Sequence, residues 1–379
     1  MKLVFLTNYL NHHQVHLADE LYRLLGEDYK FLSYEPLSEW RKQGGYSEIS
    51  RPYLLKVYED KHNYLKALSL VNNADVVIIG SAPQFLVHKR LQNNKITFHY
   101  NERWFKQRLG IRALSPSFWY FLYKNHLRYN QKRSYMLCAS AFTASDVNSV
   151  FAYRGKCYKW GYFTKVEDLD IDSVISSRQN SICRMMWCSR FIKLKHPELP
   201  ILLAQKLKMK GYHFIIDMFG SGDMYNDAKE LTLRLNVQDV VHFRGSIPNQ
   251  DVLNEMKQHH IFLFTSDRNE GWGAVLNEAM SNGCAVIASS EIGSVPFLIN
   301  DGQNGCVFKA NEIDSLVEKA ELLLSDVELR DQISREAYKT MHNIWSPKVA
   351  AEALLELIEC IESGNVYNKA GKVPCAIAE

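Results

Sequence analysis

The chain has 379 residues, of which 46% are hydrophobic and 23% are charged, and its formal net charge is +3. A chain of this length can form two domains with separate hydrophobic cores, and this composition excludes a disordered protein. The net charge is too small to indicate a nucleic acid partner by itself, so any charged partner has to be inferred from local clusters.

The cysteines and the apolar runs predict a reduced, cytoplasmic protein. Eight cysteines are scattered along the chain without a CxxC pair or the spacing of a metal site. The apolar run at the N-terminus is too short for a signal peptide, and no stretch reaches the roughly 18 apolar residues that a membrane-spanning helix needs. We therefore expect a cytoplasmic protein, with the inner face of the plasma membrane as an alternative location.

Short apolar runs in the first 163 residues alternate with helical patterns. Strands are predicted at residues 2–7, 75–80, 95–99 and 136–139, and an amphipathic helix is predicted at 15–25. Because ligands of open α/β sheets bind at the carboxyl ends of the strands, the loops after these strands should line one cleft. His13 and Glu102 lie in two of these loops and are candidates for contacting a substrate. An exposed loop histidine and a surface ion pair between Glu102 and Arg103 remain the alternatives.

Three histidines near the N-terminus are candidate metal ligands. His12 and His16 are one helical turn apart, and His13 lies between them. No third ligand is recognisable beside the His12 and His16 pair, so we predict no metal there.

The stretch from Arg103 to Arg133 combines basic and aromatic residues and contains no Asp or Glu. The candidate membrane or acceptor patch in this stretch consists of Arg103, Lys106, Arg108, Arg112, Trp119, Lys124 and Arg128. Aromatic rings favour the membrane interface and cations meet anionic headgroups there, so contact with an anionic membrane is one interpretation. A core helix with a basic solvated face is the other. Nucleic acid ranks third because no nucleic-acid-binding module accompanies the stretch.

A polar, acidic segment at residues 164–181 is predicted to link two domains. A second alternation begins there, with predicted strands at 182–188, 214–219 and 240–243. Arg190 and Lys195 lie in the loop after the first of these strands. Gly220 and Gly222 follow the second strand, in a flexible turn that could approach a nucleotide closely.

Residues 261–308 hold the densest group of candidate site residues. Apolar strands at 261–265 and 284–288 flank a polar loop and a helix. The candidates in the loop and helix are Glu270, Gly271, Trp272, Gly273 and Glu278. Backbone N–H groups of the glycine turn, together with the positive helix end, favour an anion such as a phosphate.

The two carboxylates in this segment restrict the kind of ligand. Glu270 and Glu278 would repel a phosphate unless they accept hydrogen bonds from sugar hydroxyls, so a nucleotide-sugar fits better than a bare nucleotide. The alternative is that Glu270 is a loop charge and Glu278 a solvated helix residue.

The segment EGWGAVLNEAM, from Glu270 to Met280, resembles the Glu-x7-Glu signature of retaining, nucleotide-sugar-dependent glycosyltransferases of the GT-B fold (glycosyltransferase family 4, glycosyl transferases group 1). The resemblance continues through VHFRGSIPNQDVLNEM upstream and through residues 293–296 and 301–305 downstream, and it covers most of the C-terminal half. Two positions depart from the family pattern. Phe297 stands where many relatives have a Glu, and Thr265 stands where a Pro is more usual.

The resemblance implies an α/β protein of the GT-B type, with two Rossmann-like doubly wound domains facing a cleft. The implied domains are an N-terminal acceptor domain at 1–163 with a crossover helix at about 346–362, a linker at 164–181, a donor domain at 182–345 and a tail at 363–379.

The resemblance also implies roles in sugar transfer. Arg190 and Lys195 would neutralise the donor diphosphate without a metal cofactor. Glu270 and the amides of residues 271–273 would hold the donor sugar, and Glu278 would hold the ribose hydroxyls. Loops similar to the one that carries His13 occur in bacterial polysaccharide glycosyltransferases.

The implied reaction is hexosyl transfer with retention at the anomeric carbon. The donor would be UDP- or GDP-linked, and the acceptor a glycan or lipid-linked glycan in bacterial cell-surface polysaccharide synthesis. A nucleotide-sugar epimerase of similar fold and a non-catalytic GT-B-like binding subunit are the alternatives, and no nucleic acid partner is expected.

Overall fold

The computed structural model describes residues 1–38, 48–179 and 181–379, which form two compact α/β units. Unit 1 comprises Met1–Lys165 and Pro347–Glu379, and unit 2 comprises Val166–Ser346. Each unit is built on one parallel β-sheet. The predicted class, two Rossmann-like doubly wound sheets, is confirmed.

The sheet of unit 1 has seven parallel strands in the order β3-β2-β1-β4-β5-β6-β7. The strands are β1 Leu3–Thr7, β2 Tyr29–Ser33, β3 Leu54–Lys56, β4 Val76–Ile79, β5 Ile96–Asn101, β6 Ser134–Cys138 and β7 Cys157–Lys159. β1 and β4 are buried along their whole length, as expected for apolar strands covered on both faces. The strand order reverses between them, and a ligand crevice forms at such a switch point.

Five described helices of unit 1 precede residue 165. They are α1 Val15–Leu25, α2 Lys61–Asn73, α3 His88–Gln92, α4 Pro116–Asn125 and α5 Thr143–Ser149. α4 begins where local chemistry favours a helix start, because the Ser115 side chain accepts a hydrogen bond from Phe118 N and Pro116 occupies the first turn. A 3₁₀ turn at Gly110–Leu114 precedes it.

The sheet of unit 2 has six parallel strands in the order β10-β9-β8-β11-β12-β13. The strands are β8 Cys183–Cys188, β9 Phe214–Phe219, β10 Val241–Gly245, β11 Ile261–Phe264, β12 Ala285–Ser289 and β13 Cys306–Phe308. The order reverses between β8 and β11, so the loops after these two neighbouring strands emerge side by side.

The described helices of unit 2 complete the second alternation. They are α6 Ile171–Ser176, α7 Glu198–Met209, α8 Tyr225–Arg234, α9 Asn249–Gln258, α10 Val275–Ser281, α11 Val295–Leu298, α12 Ile313–Ser325 and α13 Val327–Asn343. Apolar residues of α7, α8, α12 and α13 pack with the strands into one core.

The predicted linker at 164–181 is divided between the units: Thr164 and Lys165 belong to unit 1, the described residues from Val166 on belong to unit 2, and residue 180 lies outside the described residues. α6 lies within it and is capped by Asp170, whose side chain accepts a hydrogen bond from Ser173 N. Arg178 is buried and donates to three backbone carbonyls, those of Lys257 at 2.9 Å, Gly283 at 2.9 Å and Asn282 at 3.3 Å. The polar composition that suggested a linker therefore comes from a helix cap and a buried arginine.

The last helix, α14 Pro347–Ser363, belongs to unit 1 and packs against α1. The segment after it was expected to be a tail, and this expectation was wrong. Cys375 N donates to Lys159 O and Lys159 N donates to Ala376 O, both at 2.7 Å. Cys375 and Ala376 are fully buried. These bonds occupy backbone groups of β7, so the segment covers an edge of the sheet.

All eight cysteines lie among the described residues and have free thiols, as expected from their spacing. Within residues 1–38, 48–179 and 181–379, no helix combines the length and apolar character needed to cross a membrane.

Candidate functional site

The loops after β8 and β11 of unit 2 are joined to each other at the switch point. Thr265 Oγ1 accepts a hydrogen bond from Trp187 Nε1 at 2.9 Å and donates to Lys195 O at 2.7 Å. Asp267 N donates to Leu194 O at 3.0 Å. These bonds hold the backbone that carries Lys195 against the loop that carries Glu270.

Lys195 and Glu270, both predicted from the sequence, form an ion pair. Lys195 Nζ donates to a Glu270 carboxylate oxygen, and the two side chains are only 13% and 14% exposed. The partial burial fixes the orientation of both groups. Glu270 is therefore not an isolated loop charge.

Glu278 is buried in the first turn of α10, so the alternative of a solvated helix residue was wrong. Among the described residues, its side chain receives one hydrogen bond, from Asn249 Nδ2 at 3.4 Å. Burial raises the pKa of Glu278 from 4.5 to about 7, and the Asn249 hydrogen bond only partly opposes that rise. A buried carboxyl with so few partners is suited to accept hydrogen bonds from a ligand.

The glycine turn before α10 is less open than its sequence suggested. The Trp272 ring is fully buried between Phe297 and Trp345, and its Nε1 donates to Asn277 Oδ1 at 2.9 Å. The Trp272 side chain therefore packs in the core and is not exposed to a ligand. α10 also has only seven residues, so its N-terminal partial charge is weaker than that of a long helix.

Gly220 and Gly222 are required by packing within unit 2. Their φ angles are +124° and +150°, and an added Cβ would lie 1.9 Å from Ser189 O and 2.6 Å from Phe191 O, respectively. The two glycines thus let the turn after β9 press against the loop after β8. The sequence had suggested close approach to a nucleotide, and the structure assigns them close approach to this loop.

Arg190 is exposed on that same loop, which is anchored on both sides. The neighbouring Phe191 is fully buried, its N donates to Ser221 O at 2.9 Å, and its O accepts from Met224 N at 2.9 Å. The backbone that presents Arg190 is therefore held by β9 and its turn.

Three residues that shape the unit 2 site were not predicted as site residues: Thr265, Asn249 and His196. His196 has a left-handed backbone with φ +50°, and its ring lies 2.6 Å from Glu198 and 3.5 Å from Asp267. The hydrogen bond to Glu198 raises the pKa of His196. Placement after a strand at the switch point was the available signal for His196 and Thr265; Asn249 becomes apparent only from the packing of α9.

Unit 1 has a polar pocket of about 660 Å³ at the carboxyl ends of β1, β4 and β5. Glu102 lines it and accepts hydrogen bonds from Tyr162 Oη and Lys106 Nζ, both at 2.9 Å. Asn8, Asn11 and Gln84, which the sequence interpretation did not select, also line it. The predicted clustering of strand-end loops is therefore present within this unit.

Two members of the predicted patch belong to this pocket. Arg103 and Lys106 both line it, and Arg103 is largely buried, with Nη2 3.4 Å from Asp146 and its guanidinium 4.8 Å from the Phe142 ring centre. His13 lies beside the pocket, half-buried, with its ring parallel to that of Tyr162 at 5.8 Å. The alternative of an exposed loop histidine was wrong.

The remaining patch residues lie along the 3₁₀ turn and α4. Trp119 is half-buried and donates from Nε1 to Ala113 O at 2.7 Å. The four basic residues are exposed: Arg108, Arg112, Lys124 and Arg128.

Sequence comparison finds similar proteins for the C-terminal half of the chain. Residues 184–340 match the model of the family "Glycosyl transferases group 1". Poly(glycerol-phosphate) alpha-glucosyltransferase of Bacillus subtilis (strain 168) is 30% identical over 161 residues, which cover 41% of this chain and 24% of that protein. The capsular polysaccharide biosynthesis glycosyltransferase CapM of Staphylococcus aureus is 28% identical over 160 residues, 40% of each chain. The match thus spans about a quarter of the length of the Bacillus subtilis protein and about two fifths of the length of the Staphylococcus aureus protein.

Structural comparison extends over the whole chain. HepE of Anabaena, solved in complex with UDP, superposes with a TM-score of 0.69 at 14% identity, covering 95% of this chain and 100% of that one. The same protein was also solved with UDP-glucose. Residues 184–340 are therefore similar to the family glycosyl transferases group 1, and the chain has the two-unit α/β fold of GT-B proteins.

Proposed function

We propose that the chain is a hexosyltransferase that moves a sugar from a nucleotide-sugar to a glycan or lipid-linked glycan in bacterial cell-surface polysaccharide synthesis. The observation that carries the proposal is the β8/β11 switch point of unit 2, where Lys195, Glu270 and Glu278 are held on a domain similar to the group 1 family. The names of the relatives from Bacillus subtilis and Staphylococcus aureus support the acceptor class. The UDP bound to HepE makes a UDP-linked donor the first to test, before a GDP-linked one.

Arg190 and Lys195 are the proposed contacts to the donor diphosphate. When the bond between sugar and diphosphate breaks, negative charge grows on the leaving group, and nearby cations stabilise it. Lys195 is already oriented by its ion pair with Glu270, so little reorganisation is needed when the donor binds. In this role the two cations supply the charge that a divalent metal supplies in other enzymes, and we propose that none is required.

Glu278 and Glu270 are the proposed contacts to sugar hydroxyls. The buried Glu278 carboxylate would accept hydrogen bonds from the ribose, which would replace solvent that burial has removed. Glu270, with the amides of residues 271–273, would hold the donor sugar.

The proposed reaction proceeds with retention at the anomeric carbon. The bond from that carbon to the diphosphate oxygen breaks, the acceptor hydroxyl oxygen bonds to the same face, and the acceptor proton passes to the departing diphosphate. No protein nucleophile takes part in this scheme. In this scheme the protein orients the donor and the acceptor and stabilises the charge on the departing diphosphate, and rigid loops suit both tasks.

The polar pocket of unit 1 is the proposed acceptor site. Glu102 is oriented there by Tyr162 and Lys106, and it could accept a hydrogen bond from an acceptor hydroxyl. His13, beside Tyr162, is the second proposed acceptor contact.

Donor binding is tested first, by thermal unfolding of the full chain with a panel of UDP- and GDP-sugars and no added metal. One donor should raise Tm, and Arg190→Ala should remove that shift. Lys193→Ala is the matched control, because Lys193 is an exposed cation in the same loop that has no proposed contact with the donor. The proposed donor site would be contradicted if no donor raised Tm, or if Arg190→Ala and Lys193→Ala reduced the Tm shift equally.

Catalysis is tested with Glu270→Gln. The variant should unfold at a temperature close to that of the wild type and lose transfer, measured as nucleoside diphosphate release with an acceptor present. The anomeric configuration of the product, read by NMR, tests retention. Turnover equal to that of the wild type would remove Glu270 from the site.

A further inference from the structure

Unit 1 exposes large apolar side chains around α4. Ile111 and Leu114, in the 3₁₀ turn before the helix, are 86% and 82% exposed. Tyr120, Phe121 and Tyr123 in α4 are each more than half exposed. Scattered apolar residues are normal on a surface, but a group of this kind marks an interaction site.

Two of the exposed rings, those of Tyr120 and Tyr123, share one side of α4, and Phe121 lies at the opposite edge of the exposed surface. Leu122 and Asn125 are buried on the opposite side, where the helix packs on unit 1. With 100° between successive residues, Tyr120, Tyr123 and Lys124 fall on the face turned away from Leu122. The helix therefore presents aromatic rings and a cation together to the outside.

A loop distant in sequence extends this surface. The Trp119 ring lies 6.5 Å from the ring of Phe151, which is more than half exposed. The Arg154 guanidinium lies 4.7 Å from the Phe151 ring centre. Trp119 also donates to Ala113 O, which ties the 3₁₀ turn to α4. The turn, the helix and this loop thus form one continuous area, called the α4 patch below: Ile111, Leu114, Tyr120, Phe121, Tyr123 and Phe151.

The segment that carries most of the α4 patch has charges of one sign only. Residues 103–133 contain no Asp or Glu, and Arg108, Arg112, Lys124, Arg128 and Arg154 are all exposed. Within the described part of the chain, no ion pair neutralises any of these five cations. Cations bordering exposed aromatic rings attract a surface that is anionic outside and apolar beneath.

We propose that the α4 patch docks unit 1 on an anionic lipid bilayer. Ile111, Leu114 and Phe121 enter the boundary between headgroups and acyl chains, the two tyrosines lie at the headgroup level, and the basic residues contact lipid phosphates. A second copy of the chain fits this surface poorly, because a symmetric contact would bring these unneutralised cations together. Nucleic acid would leave the aliphatic side chains of Ile111 and Leu114 without an apolar partner.

Docking in this way has a consequence for the polar pocket of unit 1. Arg103, Trp104 and Lys106 line the pocket, and the α4 patch begins five residues later in the chain. The pocket would then lie next to the bilayer surface, where a lipid-linked molecule presents its headgroup. The docking proposal itself does not depend on the transfer reaction.

The test is flotation of the purified full chain with extruded vesicles, either of phosphatidylcholine alone or with phosphatidylglycerol added. The wild type should float with the anionic vesicles, less so as salt is raised. Replacing Arg108, Arg112, Lys124 and Arg128 by Gln should weaken partitioning about 100-fold or more. Ile111→Ser with Leu114→Ser should weaken it about tenfold or more at unchanged charge.

Two control variants match these changes elsewhere on the surface. Replacing the exposed Lys61, Lys66, Lys309 and Lys339 by Gln removes the same charge, and Met209→Ser with Leu233→Ser removes comparable exposed apolar area. Both should float like the wild type, and all variants should unfold at similar temperatures.

The proposal is overturned if the wild type does not bind anionic vesicles. It is also overturned if either patch variant floats with anionic vesicles to the same extent as the wild type. Equal losses in a patch variant and its control would show a general charge or solubility effect and would also overturn it. Self-association of the wild type that the patch variants abolish, without vesicle binding, would assign the surface to a second copy instead.

Discussion

Glu278→Gln should stabilise unit 2 at neutral and alkaline pH. The substitution keeps the size of the side chain and removes a carboxyl that burial makes costly to ionise. Because the pKa of Glu278 is about 7 in the folded protein and 4.5 for an unperturbed Glu, the folded state keeps its proton after the unfolded state has lost it. Between these pH values the folded state binds more protons, so the stability of the wild type falls as pH rises.

The magnitude follows from the separation of the two pKa values. Each unit of separation is worth about 1.4 kcal/mol, so ionised Glu278 costs the folded state about 3 kcal/mol above pH 7. Near pH 4.5 this cost is absent. For a domain of about 150 to 250 residues, about 3 kcal/mol corresponds to a rise in Tm of roughly 6 to 12 °C.

The assay is thermal unfolding of the full chain at pH 5, 6, 7 and 8, monitored by calorimetry. Calorimetry is chosen because it can separate the unfolding transitions of the two units. The gain in Tm for Glu278→Gln over the wild type should grow from pH 5 to pH 8. Glu230→Gln, in an exposed part of α8, is the control and should change Tm little at any pH. A pH-independent difference, or destabilisation at pH 8, would refute the reasoning, since it would mean that other groups stabilise the Glu278 anion.

Three further predictions concern packing and acid stability. Gly220→Ala should lower the free energy of unfolding by about 3 kcal/mol or more, because the added Cβ would collide with Ser189 O. The control Gly211→Ala, at φ +81° in open space, should lower it by only about 1 to 2 kcal/mol. Equal losses of stability for the two variants in denaturant unfolding would contradict this prediction. Arg178→Ala removes the hydrogen bonds to three backbone carbonyls, two of them buried, and should destabilise unit 2 by about 3 to 5 kcal/mol. A wild-type denaturation midpoint would contradict this role of Arg178. Burial lowers the pKa of His126 to about 4, so the unfolded state takes up the proton first and unit 1 should lose about 3 kcal/mol between pH 6.5 and pH 4. His126→Gln should reduce this loss, and an unchanged pH profile would contradict it.

The sequence predicted the strands that are apolar and buried, and it missed those that are short or partly polar. β1, β4, β5, β8, β9 and β11 were found within one or two residues because buried parallel strands form near-continuous apolar runs. β3 and β7 have three residues each, too few to show a period. The tail prediction failed for a related reason, since the backbone bonds of Cys375 and Ala376 to Lys159 leave no trace in side-chain pattern.

The family resemblance, and not spacing alone, identified several charged residues that the structure holds in place. Lys195 was selected because Glu270 and Glu278 had already indicated the family, and the neighbouring positions of β8 and β11 bring Lys195 and Glu270, 75 residues apart, into one ion pair. The same pattern could not show that the Trp272 ring packs in the core, because an aromatic residue in a glycine turn can face either way. The sequence pattern also could not distinguish Arg103 and Lys106, which line a pocket, from Arg108 and Arg112, which are exposed.

The amino-acid sequence by itself determined the α/β class, the two alternations of strand and helix, and the chemical types of residue after the strand ends. These are local properties, since apolar runs, periodicity and turn residues act over a few positions. Only the tertiary structure decided which of these residues are buried, which are paired, and which surface stays exposed. The pKa of Glu278, the packing of Gly220 against Ser189, and the joining of Phe151 to α4 all depend on contacts between segments far apart in the chain, and burial and distance across such contacts are properties of the folded protein.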